Sequence, residues 1–271
     1  MMMMAFEPPR GMTMKSFMIV IAAALGFVLQ SANAQGYAGD RATVEPTYLI
    51  DKPTAGMLQR GSYGVGANFY QNGGMLATIA VGIFDPFMFG ISYGGTDIIG
   101  QNTIRMNPLP GVQAKLRLFD ESTLMPAIAF GFDSQGKEPY LDADSLKRYT
   151  IKAPGLFVVA SKNYRILGNL SLHGGLNYST ERLDGDSDVN LFLGLEKSLG
   201  SSLSLLAEFD FATNDDHGNA LGKANGYLNI GLRWSWGKGF VVGFDLKNVT
   251  KNRENVVVGN RTLQLDYVGT F

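Results

Sequence analysis

The sequence predicts an all-β protein, a closed antiparallel up-and-down transmembrane β-barrel of about 12 strands. Three observations carry the prediction: an export signal near the start, repeated strict alternation of apolar with polar residues, and an alternating final strand that stops on Phe271. The 271 residues are 45% hydrophobic and only 17% charged, yet after the N-terminus no apolar run is long enough for a spanning helix of roughly 20 residues. The apolar surplus is therefore spread over short elements. Gly 34, Tyr 11 and Phe 17 favour turns and strands.

The export signal is read from Met14. Lys15 supplies positive charge, Phe17 to Leu29 form the apolar stretch, and Ala32-Asn33-Ala34 is a small-residue cleavage site, so a mature start is expected at Gln35. The expected organisation is an extended start plus signal over 1–34, an irregular lead-in over 35–61 and the barrel over 62–271. The length after Ala34 leaves room for about 12 strands at roughly ten residues each plus connections.

Successive strand side chains take opposite faces, so alternation assigns wall positions to lipid or lumen. Over Gly111–Phe119, Val112, Ala114, Leu116 and Leu118 face lipid while Gln113, Lys115 and Arg117 point inward. Over Asp188–Lys197 the outward row is Val189, Leu191, Leu193 and Leu195. After a Gly-Ser-Ser turn, Leu203, Leu205, Ala207, Phe209 and Phe211 face out, with Glu208 and Asp210 inside. Next, Leu228, Ile230, Leu232, Trp234 and Trp236 alternate with Asn229, Arg233 and Ser235. A Gly-Lys-Gly turn leads into Phe240, Val242, Phe244 and Leu246 against Asp245 and Lys247. Trp236 suits an interfacial girdle.

Further strands are expected over Tyr63–Tyr70, Met75–Phe84, Phe87–Tyr93, Met125–Asp133, Ile151–Ser161 and Gly168–Ser179. Met75–Phe84 and Gly155–Ala160 are nearly continuous apolar runs, which suit strands covered on both faces and hint at a partly filled lumen. Gly136–Tyr149 is polar enough for a longer external loop. YLIDKPTAGML lacks a period and fits a lead-in, a short helix in the lumen or the approach to the first strand. In the last strand Leu263, Leu265, Tyr267, Gly269 and Phe271 share one face, with Asp266 opposite. Such an ending, with Tyr267 and Phe271, resembles the substrates of the outer-membrane barrel assembly machinery, an expected partner beside outer-membrane lipid.

The chemistry-bearing residues argue for transport before catalysis. Lys115, Arg117, Arg233 and Lys247 stand against Glu196, Glu208, Asp210, Asp245 and Asp266 on the inner rows. Such groups line water or neutralise one another. Lys+Arg 23 against Asp+Glu 24 gives a net charge of −1, so nucleic acid is not an expected partner. Cys is 0, which excludes disulfides and cysteine-ligated metal. No cofactor, metal or catalytic residue is expected. Asp184, Asp186 and Asp188 alternate as in calcium loops but lack the completing Glu, and a hairpin turn is the simpler reading. Lipid hydrolysis on a barrel needs a Ser and a His in reach. His173 points inward and is followed two places on by Gly175, and His217 sits in a polar loop.

The segments YLIDKPTAGML, GISYGGTDIIG, PGVQAKLRLFDES, AFGFDSQG, RYTIKAPGLFVVASKNY, LHGGLNYS and GYLNIGLRW are distantly similar to the YjbH-like family of envelope proteins linked with exopolysaccharide. The resemblance implies an outer-membrane location and a part in moving or organising a polysaccharide. The function expected is a small passive channel or envelope-organising protein, with polysaccharide or small solutes as cargo. A lipid-modifying enzyme and a surface-binding barrel acting through its loops are the alternatives.

Overall fold

The computed structural model describes residues 38–40, 44–143, 146–253 and 260–271. The export signal and the cleavage near Ala34 lie outside these residues. The strands, in chain order, are β1 (Ser62–Tyr70), β2 (Gly74–Phe84), β3 (Phe87–Thr96), β4 (Arg105–Met106) and β5 (Gly111–Phe119). There follow β6 (Ala127–Asp133), β7 (Lys137–Leu141), β8 (Arg148–Ile151), β9 (Gly155–Arg165) and β10 (Asn169–Tyr178). The rest are β11 (Asn190–Ser198), β12 (Leu203–Asp210), β13 (Tyr227–Gly237), β14 (Phe240–Lys247) and β15 (Asn260–Thr270).

Twelve strands close into one antiparallel ring: β1 pairs with β15 on one side and β2 on the other, and β2–β3 pairing completes the circle. Closure leaves no open sheet edge to present unpaired amides to hydrocarbon. Short turns such as 85–86, 166–168 and 238–239 lie at one end of the barrel. The longer connections, including 97–110, 134–154, 179–189 and 211–226, lie at the other. Outer-membrane barrels keep their short turns on the periplasmic side.

The alternation is realised on the wall. In β13, Tyr227, Asn229, Gly231 and Arg233 are buried, whereas Ile230, Leu232 and Trp234 are exposed to the lipid side. At the turn end the outer surface carries ring pairs, Phe84 with Phe87, Trp234 with Trp236, and Tyr63 with both Tyr267 and Phe271. This is the girdle expected where a wall meets the interface.

Two expectations over 134–161 are corrected. The strand expected over Ile151–Ser161 is divided, with Ile151 ending β8 and β9 beginning at Gly155. Pro154 donates no backbone hydrogen bond, and Gly155 takes a positive φ of 66° where a Cβ would lie 2.0 Å from the Tyr178 carbonyl oxygen. Gly136–Tyr149 is also not simply an open loop. It carries β7 and the first half of β8, which pair with each other, and Glu138 and Arg148 are buried. The polar composition reflects ion pairs with the wall and neighbouring loops: Arg148 meets Asp184 and Asp215, each at 2.6 Å, and Glu138 receives Arg253 at 3.0 Å.

The lead-in is a lumen segment. Residues 49–58 are all buried inside the ring without forming a helix. Its turn is closed by Leu49 N–H donating to Lys52 O at 3.0 Å and by a Tyr48–Pro53 bridge. Apolar residues pin it in three places. Leu49 and Ile50 pack with Leu206 and Val241, Ala55 with Phe157, Val159 and Phe192, and Met57 and Leu58 with Ala80 and Met88. These inward-facing wall residues break the polar-inside pattern because they meet a plug, not water. Gly194 belongs to the same fit, since a Cβ there would lie 2.3 Å from Leu49 Cδ2.

Candidate functional site: the lumen and its plug

An unpaired charge inside a barrel is costly, so the inner charges of the sequence need partners. Most find them in the plug. Glu208, projecting inward from β12, accepts the consecutive N–H groups of Ile50, Asp51 and Lys52 at 2.9–3.1 Å. Three converging amides form a concave anion site, here filled by a carboxylate. Asn229 adds a donor to Glu208 at 3.0 Å. Beside it, Lys247 pairs with Asp51 at 2.6 Å, and Asp210 with Lys52 at 2.7 Å. Arg233 forks onto Asp245 at 2.5 Å and donates to Leu49 O at 3.1 Å. Asp245 also accepts from Thr262.

On the facing wall, Lys115 of β5 directs its ammonium to three plug carbonyls, Thr47 at 2.7 Å, Thr54 at 3.0 Å and Gly56 at 3.0 Å. Arg117 donates to Ala55 O and pairs with Glu45. Tyr48 donates its hydroxyl to Asp133. Of the residues singled out from sequence, Lys115, Arg117, Glu208, Asp210, Arg233, Asp245 and Lys247 thus converge on the plug or on a group that holds it. Asp266 does not. Its carboxylate accepts from Gln264 at 2.7 Å and borders the unfilled part of the lumen. Tyr267 and Phe271 lie outside, on the girdle.

The plug leaves that part of the lumen open because the wall opposite it is small-chained. A cavity of about 130 Å³ runs beside the segment 44–48, bounded by inward positions of β15, β1, β2, β3 and β5. Gly64, Gly66, Thr78, Ala80 and Ser92 supply little bulk, while Asn68, Gln113, Gln135 and Gln264 supply amides. It reaches from Gly64 and Val268 near the turn end to Gln135 and Lys137 near the loop end. A larger recess of about 880 Å³ lies among the long connections, lined by residues including Asn72, Arg105, Asn107, Tyr140 and Arg253.

Sequence reasoning missed one pairing. His173 of β10 lies directly across from Ser161 of β9, with Ser161 Oγ 2.8 Å from His173 Nδ1. The tight turn 166–168 fixes that register, so counting back from it reveals the pair. The same Ser161 oxygen accepts the Ala55 N–H at 2.9 Å. Both side chains are buried in the lumen, so the pair faces the plug and not lipid. At the loop end, Asp186 accepts the N–H groups of Asp216 and His217, which explains the alternating aspartates as a loop-to-loop clasp.

Neither a family model nor a curated protein matches the sequence. Solved structures do match the fold. A KdgM porin in complex with disordered oligogalacturonate superposes with a TM-score of 0.50 at 11% identity, covering 76% of this chain and 98% of that one. A second structure of KdgM porin gives 0.47 at 11% identity over 78% and 99%. A NanC porin structure gives 0.42 at 8% identity over 77% and 99%. At these identities the likeness is one of fold alone, that of a transmembrane β-barrel.

Proposed function

We propose that this protein is a narrow passive channel of the outer membrane, whose bore is the crescent between the plug and the β15–β1–β2–β3 wall. The observation that carries the proposal is the asymmetry of the lumen: bulky charged side chains of β12–β14 and β5 hold the plug, and glycine and small hydroxyl residues keep the β15–β1–β2–β3 wall clear. A filler needed only for stability has no reason to leave a polar crevice along the barrel. The cavity is small, so the solutes are small and polar and the flux is low. The exopolysaccharide role implied by the YjbH-like resemblance rests on that resemblance alone.

The test is single-channel recording from refolded Gln35–Phe271 in a planar bilayer, with folding checked by heat-modifiable gel mobility. Small, steady conductance steps are expected. Silence from a demonstrably folded barrel would sink the channel reading.

A further inference from the structure

Resting on that channel reading, we infer that the bore passes small cations and neutral polar solutes and rejects anions. The wall cations are spent on the plug: Lys115 on three carbonyls, Arg117 on Glu45 and Ala55 O, Arg233 on Asp245 and Leu49 O, and Lys247 on Asp51. None of these four borders the cavity.

The carboxylates that border it are Glu45, Asp133 and Asp266. Glu45 is neutralised by Arg117. Asp266 stays open to the bore on one oxygen. Its Oδ2 takes the Gln264 amide, while Oδ1 lies beside Gly66, where even a Cβ would approach to 2.9 Å. Asp133 accepts from the Tyr48 hydroxyl and from the Gln135 N–H at 2.8 Å, and its charge is set against those of Lys137 and Lys115, whose ammoniums lie 5.1 and 5.5 Å from the Tyr48 ring. Among the described residues Lys137 is the cation that borders the cavity. Its ammonium lies 5.1 Å from the Tyr48 ring at the loop end. A narrow low-dielectric passage focuses the field of its wall charges, so Asp266, the lining carboxylate that makes no ion pair among the described residues, sorts ions by sign.

The experiment is the zero-current potential under a KCl gradient. The expected result is a potential of the cation-selective sign, with a permeability ratio of roughly fivefold or more for potassium over chloride. Asp266→Asn, which keeps size and an acceptor for Gln264, is expected to pull the ratio toward one, and Lys137→Gln to raise it. A conducting channel with no preference, or with the anion sign, would overturn the inference and leave the channel reading standing. An unchanged ratio in both Asp266→Asn and Asp133→Asn would also overturn it, because the preference would then lie elsewhere. Silence from the folded barrel removes the channel reading and this inference together. Heat-modifiable mobility of each variant separates a selectivity effect from a failure to fold.

Discussion

The two sides of the lumen are built from the same alternating strands, and they differ in what the inward positions carry. From β12 to β14 the inward row includes Glu208, Asp210, Asn229, Arg233, Asp245 and Lys247, all buried and bound to the plug or to one another. From β1 to β3 it includes Gly64, Gly66, Thr78, Ala80, Gly90 and Ser92, and only the end of the plug, Met57 and Leu58, reaches this wall, at Ala80 and Met88. Lipid sets the outer face of both halves identically, so their outward rows are interchangeable. The inward residues alone decide which half is core and which is passage.

The largest effect is expected where the plug is anchored. Reversing Lys115 and Arg117 together to Glu removes the donors to Thr47, Thr54, Gly56 and Ala55 carbonyls and places carboxylates against them. The free segment is then expected to leave the wall, and single-channel conductance to rise several-fold with flickering steps. An unchanged conductance would mean that the apolar contacts of Leu49, Ile50, Met57 and Leu58 suffice to hold it. Glu208→Ala sharpens the same point through stability. Three buried N–H groups lose their acceptor, at a cost of about 1–3 kcal/mol for each group left without a partner. A lowered urea midpoint together with new protease cuts within 45–58 is expected.

On the open side the complementary change is to add bulk. At Gly64, which lines the cavity, a Cβ meets only ordinary contacts, the nearest being Leu58 Cδ1 at 3.5 Å, so the side chain of Gly64→Leu is expected to extend into the bore. Conductance is expected to fall several-fold while the urea midpoint stays within about 0.5 kcal/mol equivalent. Conductance equal to the parent would place the passage elsewhere in the lumen.

Those two halves were unequally legible in the sequence. The wall was readable because hydrocarbon tolerates no polar residue on the outer face, which forces a strict period of two in β5 and β11–β14. The inner charges were readable for the same reason. The plug was not, since YLIDKPTAGML borrows its backbone partners from Glu208, Lys115 and Arg117 and shows no period of its own. Its signal lay in the wall, where Phe157, Val159, Phe192, Leu206 and Val241 occupy inward positions that water would not favour. β7 and the start of β8 read as loop from the sequence because their polar residues pair with distant loops, and nothing local in Glu138 or Arg148 announces Arg253 or Asp184.

The cap formed by β7 and β8 extends the comparison to the loop end, with a smaller effect. Glu181, in the β10–β11 connection, accepts the Tyr149 N–H at 2.9 Å and the Ala153 N–H at 2.7 Å. Burial pushes its carboxyl up to about 7, against the lowering pull of those two N–H groups, Arg148 and Lys152. An acid whose folded value is raised stabilises the docked cap fully below its ordinary value near 4.5 and loses that contribution as pH rises through about 7. Amide exchange at Tyr149 and Ala153, corrected for intrinsic rates, is therefore expected to accelerate between about pH 4.5 and 7 and to level off above that. Glu181→Gln should flatten that dependence. A cap equally protected across the range would show that the Arg148–Asp184–Asp215 cluster alone sets its docking.

The smallest contrast uses two serines in equivalent inward positions. Ser161, beneath the plug, accepts the Ala55 N–H and bonds His173, so Ser161→Ala strips a partner from a buried amide and from a buried ring nitrogen. The expected loss is about 1–2 kcal/mol in the urea midpoint. Ser92, on the open side, makes one long contact of 3.3 Å to Gln135 Oε1 beside the cavity, where water can replace it. Ser92→Ala is expected to cost less than about 0.5 kcal/mol. Equal losses at the two sites would mean that the lumen is packed alike on both sides. The difference in wall residues would then have no energetic counterpart, and the case for a passage along β1–β3 would lose its physical basis.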